Sequence, residues 1–242
     1  MLICIINPNK TKNMTERIEM VANKVASNGT TIVATNPKNG PESIEGYYDE
    51  VFCIPGILEE VFSNKEADAY IIGCFDDTGL DAVRTVTNKP VLGIGDSSYH
   101  IASCLAGTFS VITTLEPSVP ILKNNLLKRG FDRICVNVSS VNIPVLDLDN
   151  EDSKTALSIE KEIEKSINYY KAEAIVLGCA GMADFAEQLE EKNSIPVIEG
   201  VSSSIILAEG LIRMKKNTSK LGGYSYPNPK NYSGIFKPFS LK

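Results

Sequence analysis

The chain has 242 residues, of which 43% are hydrophobic and 22% charged, and its formal net charge is −6. This length suffices for one large or two small domains, and the composition is that of a globular protein. The acidic balance argues against a nucleic-acid surface and against a polybasic membrane patch. No window approaches the ~18 apolar residues of a membrane helix. The opening apolar run is too short for the core of a signal peptide, so we expect a cytoplasmic protein.

Buried strands and amphipathic helices alternate along the chain. Ile3–Ile6 is a continuous apolar run, typical of a strand covered on both faces. Asn13-Met-Thr-Glu16 then has the pattern of a capping box, with apolar residues following at helical spacing. The further strands are predicted at Ala69–Ile72, Val91–Ile94, Val111-Ile112, Ile134–Val138 and Ile175–Leu177, and the further helices at Asp77–Thr87, Ser158–Tyr170 and Met182–Glu191. This alternation predicts an α/β fold with parallel sheets flanked by helices.

The chain also repeats itself at an offset of about half its length. The segment ending in Gly73-Cys74 matches the one ending in Gly178-Cys179, and the opening strand matches residues 108–113. We therefore expect two pseudo-symmetric α/β halves. The first takes residues 1–103 together with 206–242, whose end is a wrapping tail, and the second takes residues 104–205.

Cys74 and Cys179 occupy equivalent places in the repeat, each after a glycine at the end of a buried strand. Ligands of open α/β folds bind at this edge of the sheet. A thiol that faces a helix N-terminus is favoured as thiolate, although Asp76 and Asp77 would raise the pKa of Cys74. The alternative interpretation is that both cysteines are small buried residues, which is less expected of two at equivalent positions.

Two thiols facing each other across one cleft suit the inversion of a carbon. One thiolate removes a proton α to a carbonyl from one face, and one thiol delivers a proton to the other. Backbone N–H groups after each cysteine would hold the enolate. No cofactor is needed for this reaction.

Other polar features are weaker signals. The loop at Asn7-Pro8-Asn9 ends a strand and could reach the cleft or be a simple turn, and Thr113-Thr114 is its repeat equivalent. We expect a core or capping role for His100. Gly93-Ile-Gly95 lacks a third glycine and a matching helix opening, so we expect no dinucleotide site.

The remaining cysteines lack the Gly-Cys context, and we expect them to be structural. With one histidine and no clustered cysteines, a metal site is not expected. The residues in this group are Cys4, Cys53, Cys104 and Cys135.

At these motifs the sequence resembles the aspartate/glutamate/hydantoin racemase superfamily, and within it the hydantoin and allantoin racemases. The resemblance spans nearly the whole chain, and its most specific part is the second cysteine motif. The segments that carry it are Ile6–Asn9, Gly73–Leu80, Ser110–Thr114, Ile143–Leu148, Val176–Met182 and the tail from Thr218 to Gly234.

The resemblance implies two Rossmann-like halves and cofactor-independent racemisation of a cyclic ureide, allantoin or a 5-substituted hydantoin, by Cys74 and Cys179. It also implies a homo-oligomer. The implied substrate contacts are Asn7, Phe75, Asp76, Thr113, Thr114, Ala180 and Gly181.

The sequence departs from the family pattern in three places. Asp76 and Thr78 stand where the family often has glycine and proline, and Pro117 stands in place of an arginine. Phe75-Asp76 also disfavours an α-amino acid substrate, for which Asn-Thr is usual. The alternatives are a non-catalytic ligand-binding homologue, or a lyase or isomerase acting on another small carbonyl acid.

Overall fold

The protein, described here from a computed structural model that covers residues 1–149 and 153–240, contains two parallel four-stranded sheets. The first sheet has the order β2-β1-β3-β4 and the second has the order β6-β5-β7-β8. The strands are β1 Leu2–Ile6, β2 Thr31–Thr35, β3 Ala69–Ile72, β4 Val91–Gly93, β5 Phe109–Thr113, β6 Cys135–Ser140, β7 Ala174–Gly178 and β8 Val197–Ile198.

Eight α-helices of the described chain connect and cover these strands. They are α1 Lys12–Val25, α2 Tyr47–Ser63, α3 Leu80–Val86, α4 Ile94–Leu105, α5 Ser118–Arg129, α6 Ser153–Asn168, α7 Ala186–Asn193 and α8 Gly200–Arg213. Single 3-10 turns lie at Val145–Asp149 and Ala180–Phe185, and two more lie in the tail.

The repeat in the sequence is a repeat in the structure, which confirms the predicted fold. The two sheets have the same strand order when β1 is equated with β5. Their central registers also agree, since Ile6 pairs with Ile72 as Ile112 pairs with Leu177. The two cysteines each lie two residues beyond the equivalent positions of β3 and β7, so the fold places them at the same edge of each sheet.

The two sheets share a helical layer in which the last helix of each half crosses over. Helix α8 packs on β3 and β4 of the first sheet, α4 packs on β7 of the second, and the two helices pack on each other. One apolar core runs through this layer and joins both sheets, whereas α2 with α3 and α6 with α7 cover separate outer cores. Burial of this apolar surface is the main favourable term in folding.

A glycine sets how closely the crossing helices approach. A Cβ on Gly200, the first residue of α8, would lie 2.6 Å from the carbonyl oxygen of Ile94, the first residue of α4.

The domain boundaries predicted between residues 103 and 104 and between residues 205 and 206 fall within helices α4 and α8. They stay a prediction of how the chain divides.

Four predicted helix starts are wrong. Helix α6, predicted from Ser158, begins at Ser153. Helix α3 begins at Leu80 because Asp77 adopts a positive φ of 55° and turns the chain before it. Helix α1 begins at Lys12, so Asn13 lies inside it, and its N-cap residue Thr11 makes no capping bond with its side chain. The helix predicted from Met182 begins as a 3-10 turn and becomes α-helical only at Ala186.

The tail packs on the end of the first half. The ammonium of Lys220 donates hydrogen bonds to the carbonyl oxygens of Arg84, Thr85 and Thr87 at 2.7–3.1 Å, which covers the C-terminal end of α3. The tail is otherwise mostly exposed, and its predicted final residues, 241 and 242, lie outside the described residues. In the described part of the chain no helix has the length and apolar character needed to cross a membrane.

Candidate active site

Cys74 and Cys179 end equivalent strands and begin equivalent turns. The carbonyl oxygen of Cys74 accepts a hydrogen bond from Asp77 N–H at 3.0 Å, and that of Cys179 accepts one from Met182 N–H at 3.0 Å. Both cysteines are partly exposed, and both line one cavity between the halves. The structure therefore brings the two predicted thiols into a single site.

The cavity that contains the two thiols is small, about 40 Å³. A volume of this size holds a few water molecules. Gly73 and Gly178, the residues before the two cysteines, also line the cavity. The side chains around it are those of Asn9, Met14, Ile44, Cys74, Phe75, Asp76, Thr113, Thr114, Ser118, Val145, Cys179 and Ala180.

Loops from the two halves meet at the mouth of this cavity. The carboxylate of Glu45 accepts a hydrogen bond from Val145 N–H at 3.3 Å. A Cβ on Gly46, the residue before α2, would lie 3.3 Å from the Cβ of Pro117. These contacts join the two halves beside Ile44 and Val145, which line the cavity.

The thiol of Cys74 lies in an environment that disfavours its charged form. Burial raises its pKa well above the usual value, and the nearby Asp76 carboxylate raises it further. The backbone N–H of Asp76 and the hydroxyl of Thr78, 3.8 Å from the sulfur, act in the opposite direction. Asp76 therefore has the predicted effect on the thiol, while Asp77, for which the same effect was expected, is not among the causes of the shift.

Asp76 is itself a perturbed acid. Burial raises the pKa of Asp76 to about 7. The hydrogen bond of 3.0 Å that its carboxylate accepts from the hydroxyl of Ser118 lowers the pKa, but by less than burial raises it. The backbone carbonyl of Asp76 accepts a second bond from the Asn125 side chain at 2.8 Å. Both partners lie on α5, so the second half holds the Cys74 loop of the first.

The turn after Cys179 is held from the first half in the same way. Arg17 on α1 forms an ion pair with Asp184 at 3.0 Å and donates a hydrogen bond to the Gly181 carbonyl at 3.4 Å.

Neither thiol lies at the start of an α-helix. Cys179 precedes a 3-10 turn, and α3 begins six residues after Cys74. The prediction that each thiol faces the N-terminus of an α-helix is therefore wrong.

Seven of the nine predicted site residues line the cavity, and Asn7 and Gly181 do not. The side chain of Asn7 is buried and donates hydrogen bonds to Asn9 at 3.0 Å and Thr15 at 3.0 Å. Its amide thus fixes the loop that presents Asn9. The hydroxyl of Thr113 donates to the Gly178 carbonyl at 2.9 Å, which ties β5 to the strand that carries Cys179.

Several lining residues were not among the predicted ones. Asn9 and Val145 stand within segments that carried the family resemblance, so the signal existed. Met14 lies on α1, where the sequence predicts apolar residues at helical spacing and gives no sign of a contact with the cavity. Ile44 and Ser118 come from regions where the sequence offered no repeat or motif.

The prediction for Gly93-Ile-Gly95 needs a correction. A helix does open there, since α4 begins at Ile94. The Asp77 carboxylate accepts hydrogen bonds from the N–H groups of Gly95 at 3.1 Å and Asp96 at 2.8 Å. The first turn of this helix is thus capped by a side chain of the protein itself, the buried carboxyl of Asp77.

The other four cysteines differ from one another. Cys4 and Cys53 lie in the core beside α2, where burial raises each pKa to about 12. Cys135 is partly buried with a pKa of about 12, and Cys104 is exposed, so the structural interpretation is wrong for Cys104. Within the described residues none of the six cysteines forms a disulfide, and no cluster of His, Cys, Asp or Glu could hold a metal ion.

His100 also lies outside the core. Its side chain is 56% exposed on α4, its ring contacts Phe131 edge-on at 4.9 Å, and its Nε2 lies 3.6 Å from the buried carboxylate of Asp96. The core or capping role predicted for it is wrong.

Comparison with known proteins gives consistent findings. Residues 3–208 match the family model described as Asp/Glu/hydantoin racemase. A hydantoin racemase from Pseudomonas sp. (strain NS671) is 42% identical over 241 residues, which cover 99% of this chain and 97% of that protein.

Solved structures agree with the sequence comparison. An allantoin racemase from Klebsiella pneumoniae superposes with a TM-score of 0.96 at 35% identity, covering 99% of each chain. An allantoin racemase from Pseudomonas fluorescens superposes with a TM-score of 0.94 at 33% identity, covering 97% of this chain and 100% of the other.

Proposed function

The chain belongs to the Asp/Glu/hydantoin racemase family, and from this we propose that it is a cofactor-independent racemase in which Cys74 and Cys179 exchange a proton with opposite faces of a cyclic ureide. The observation that carries the proposal is the equivalence of the two thiols. Each follows the central part of its half's sheet at the same register, two residues after Ile72 in one half and two after Leu177 in the other, and both line one cavity.

The two thiols act in alternation. In one direction a thiolate removes the proton α to the ring carbonyl, and the opposite thiol protonates the resulting carbanion from the other face. The burial and the Asp76 charge that raise the pKa of Cys74 favour its thiol form, so they favour Cys74 as the proton donor in the resting enzyme. The backbone after each cysteine, at Phe75 and at Ala180-Gly181, would hold the enolate oxygen.

The walls of the cavity support an uncharged ring as substrate. Among the described lining residues there is no lysine or arginine to pair with a carboxylate, and Asp76 would repel one. Asn9 and Ser118 offer polar groups to the ureide. Met14 and Ile44 form apolar wall on the same cavity, which favours a hydrocarbon substituent, as in a 5-substituted hydantoin, over the polar ureido group of allantoin.

We further infer that the protein acts in the cytoplasm as a homo-oligomer. Helix α2 carries exposed apolar residues on its outer surface, among them Tyr48 at 77% and Val51 at 64% exposure. Exposed apolar patches of this kind mark association surfaces. Light scattering of the purified protein measures its mass, and a monomer at working concentration would contradict the inference.

The test of the proposal follows optical rotation of (S)-5-benzylhydantoin and (S)-allantoin in deuterated water, with enzyme freed of metals and cofactors. We expect rotation to fall to zero as deuterium appears at the ring carbon. Cys74→Ser and Cys179→Ser should each abolish this, while the exposed control Cys104→Ser retains it. Full activity in either of the first two variants refutes the two-thiol mechanism.

Absence of turnover with both rings would favour the non-catalytic alternative. A ligand-dependent rise in melting temperature without loss of rotation would then identify a binding protein, and a screen of other small carbonyl acids would address the remaining isomerase and lyase reactions.

A further inference from the structure

A second cavity lies on the other side of the loop that carries Cys74. It has a volume of about 320 Å³, far larger than the 40 Å³ around the thiols. Glu50, Thr78 and Asp76 line it, together with Asp81 and Lys128, whose side chains are 36% and 57% exposed. The cavity therefore has room for many water molecules and opens towards solvent.

Two hydrogen-bonding groups connect Cys74 to this cavity. The hydroxyl of Thr78 lies 3.8 Å from the sulfur of Cys74 and 3.3 Å from the Oε1 of Glu50. Thr78 is buried at 3% exposure, and Glu50 is half-buried at the end of the path. A hydroxyl both accepts and donates, so it can stand between a thiol and a carboxylate in a continuous chain.

A two-thiol racemase, the proposed function on which this inference rests, needs such a path. After one turnover the thiol that donated has become a thiolate and the base has become a thiol. Before the same enantiomer can react again, Cys74 must exchange its proton with solvent. The reaction cavity, into which Cys74 is only partly exposed, holds only a few water molecules, so a second path for protons would speed this exchange.

We propose that Thr78 and Glu50 form a proton relay that connects Cys74 with solvent in the second cavity and restores the Cys74 thiol in the free enzyme. Cys179 loses its proton to solvent in a separate step, and the two steps together return the enzyme to its starting protonation state. When Cys74 is a thiolate, a protonated Glu50 gives its proton to the Thr78 oxygen as the hydroxyl proton of Thr78 passes to the sulfur. In the reverse direction the thiol proton passes to Thr78 and the hydroxyl proton of Thr78 to the Glu50 carboxylate. In each passage one proton reaches or leaves Cys74, and Glu50 then exchanges the corresponding proton with water in the second cavity.

Asp76 lines both cavities but is the weaker candidate for this path. Its carboxylate accepts the hydroxyl of Ser118, and its contact with Cys74 is made by the backbone N–H. Asp76 thus acts on Cys74 through its charge, whereas Thr78 lies within hydrogen-bonding reach of both Cys74 and Glu50.

The relay has a kinetic signature that a structural role lacks. Return of the free enzyme contributes to kcat but not to kcat/KM, because kcat/KM covers only the steps from binding to product release. In Glu50→Gln and Thr78→Val we therefore expect kcat and KM to fall together, by about tenfold or more on the scale of proton-transfer effects, with kcat/KM unchanged. Thr78→Ser, which keeps the hydroxyl, and Glu59→Gln on the exposed face of α2 should behave as wild type.

Small buffer acids supply a second test. Imidazole at high concentration should restore kcat in Glu50→Gln by carrying protons into the second cavity, with little effect on wild type. An equal fall in kcat and kcat/KM, unchanged kinetics in both variants, or no response of Glu50→Gln to buffer would each overturn the relay. Because wild-type turnover is measured first, loss of the proposed function itself is seen separately as absence of racemisation in every protein.

Discussion

Replacing Asp76 by Asn should change how the stability of the protein depends on pH. The pKa of this buried carboxyl rises from 3.8 to about 7 on folding. Between these two values the folded state holds a proton that the unfolded state has released, so wild-type stability falls as pH rises through this window. At 1.36 kcal/mol per pKa unit, the full loss above pH 7 is about 4 kcal/mol.

Asparagine keeps the shape of Asp76 and a hydrogen bond with Ser118 but never ionises. We therefore expect the two proteins to have similar free energies of unfolding at pH 4. Above pH 8 the Asp76→Asn variant should be more stable by up to about 4 kcal/mol. Urea denaturation at half-unit steps of pH, with the exposed Asp132→Asn variant as control, measures the difference.

The same change acts on the neighbouring thiol. Removing the Asp76 charge should lower the pKa of Cys74, since that charge is one of the causes that raise it. In a background that carries both Cys104→Ser and Cys179→Ser, which removes the exposed thiol and the second thiol of the cavity, the rate of iodoacetamide alkylation should reach its half-maximum at lower pH in the Asp76→Asn variant. A stability difference that stays flat between pH 4 and pH 8 would refute the reasoning, because it would mean that Asp76 ionises in the folded protein as it does in water.

Two further substitutions test the scaffold. A Cβ on Gly95 would lie 2.3 Å from the carbonyl oxygen of Phe75, so Gly95→Ala should lower the free energy of unfolding by about 1–3 kcal/mol and the Tm by about 2–12 °C in calorimetry. Gly210→Ala is the control, because the added atom meets nothing within 4 Å. Equal Tm values for these two variants would contradict the clash. Glu209 is fully buried and accepts hydrogen bonds from the N–H and hydroxyl of Ser27, which helps to hold its pKa at about 2. Glu209→Gln should lose about 2 kcal/mol of stability at pH 7. This loss should shrink as pH falls from 4.5 towards 2, because the wild-type carboxylate takes up its proton in that range. A loss that does not depend on pH would show that the charge of Glu209 does not stabilise the folded protein.

The buried parallel strands and the repeat could be predicted from the sequence because both depend on local pattern. Continuous apolar runs mark strands covered on both faces, and a fixed offset pairs Gly73-Cys74 with Gly178-Cys179. That pairing predicts from the sequence alone that the two thiols lie in one site.

What escaped prediction depends on contacts distant in sequence. The start of α3 is delayed because the Asp77 carboxylate caps α4, which lies eighteen residues further along. Ser118 and Ile44 reach the cavity because loops from opposite halves meet, and neither carries a local signal. The Gly-x-Gly segment at Gly93 resembled an incomplete anion site because the side chain that fills it comes from another loop.

The crossing of α4 and α8 has a consequence for the origin of the chain. Each sheet is covered on its inner face by a helix from the other half, so a fragment that ends before α8 would leave β3 and β4 without their cover. A single ancestral half would have met this requirement by exchanging its last helix with a second copy of itself, as domain-swapped dimers do. Fusion of the two genes would then have joined a pair that was already interlocked, and it would have freed the two halves to diverge at positions such as Phe75 and Ala180.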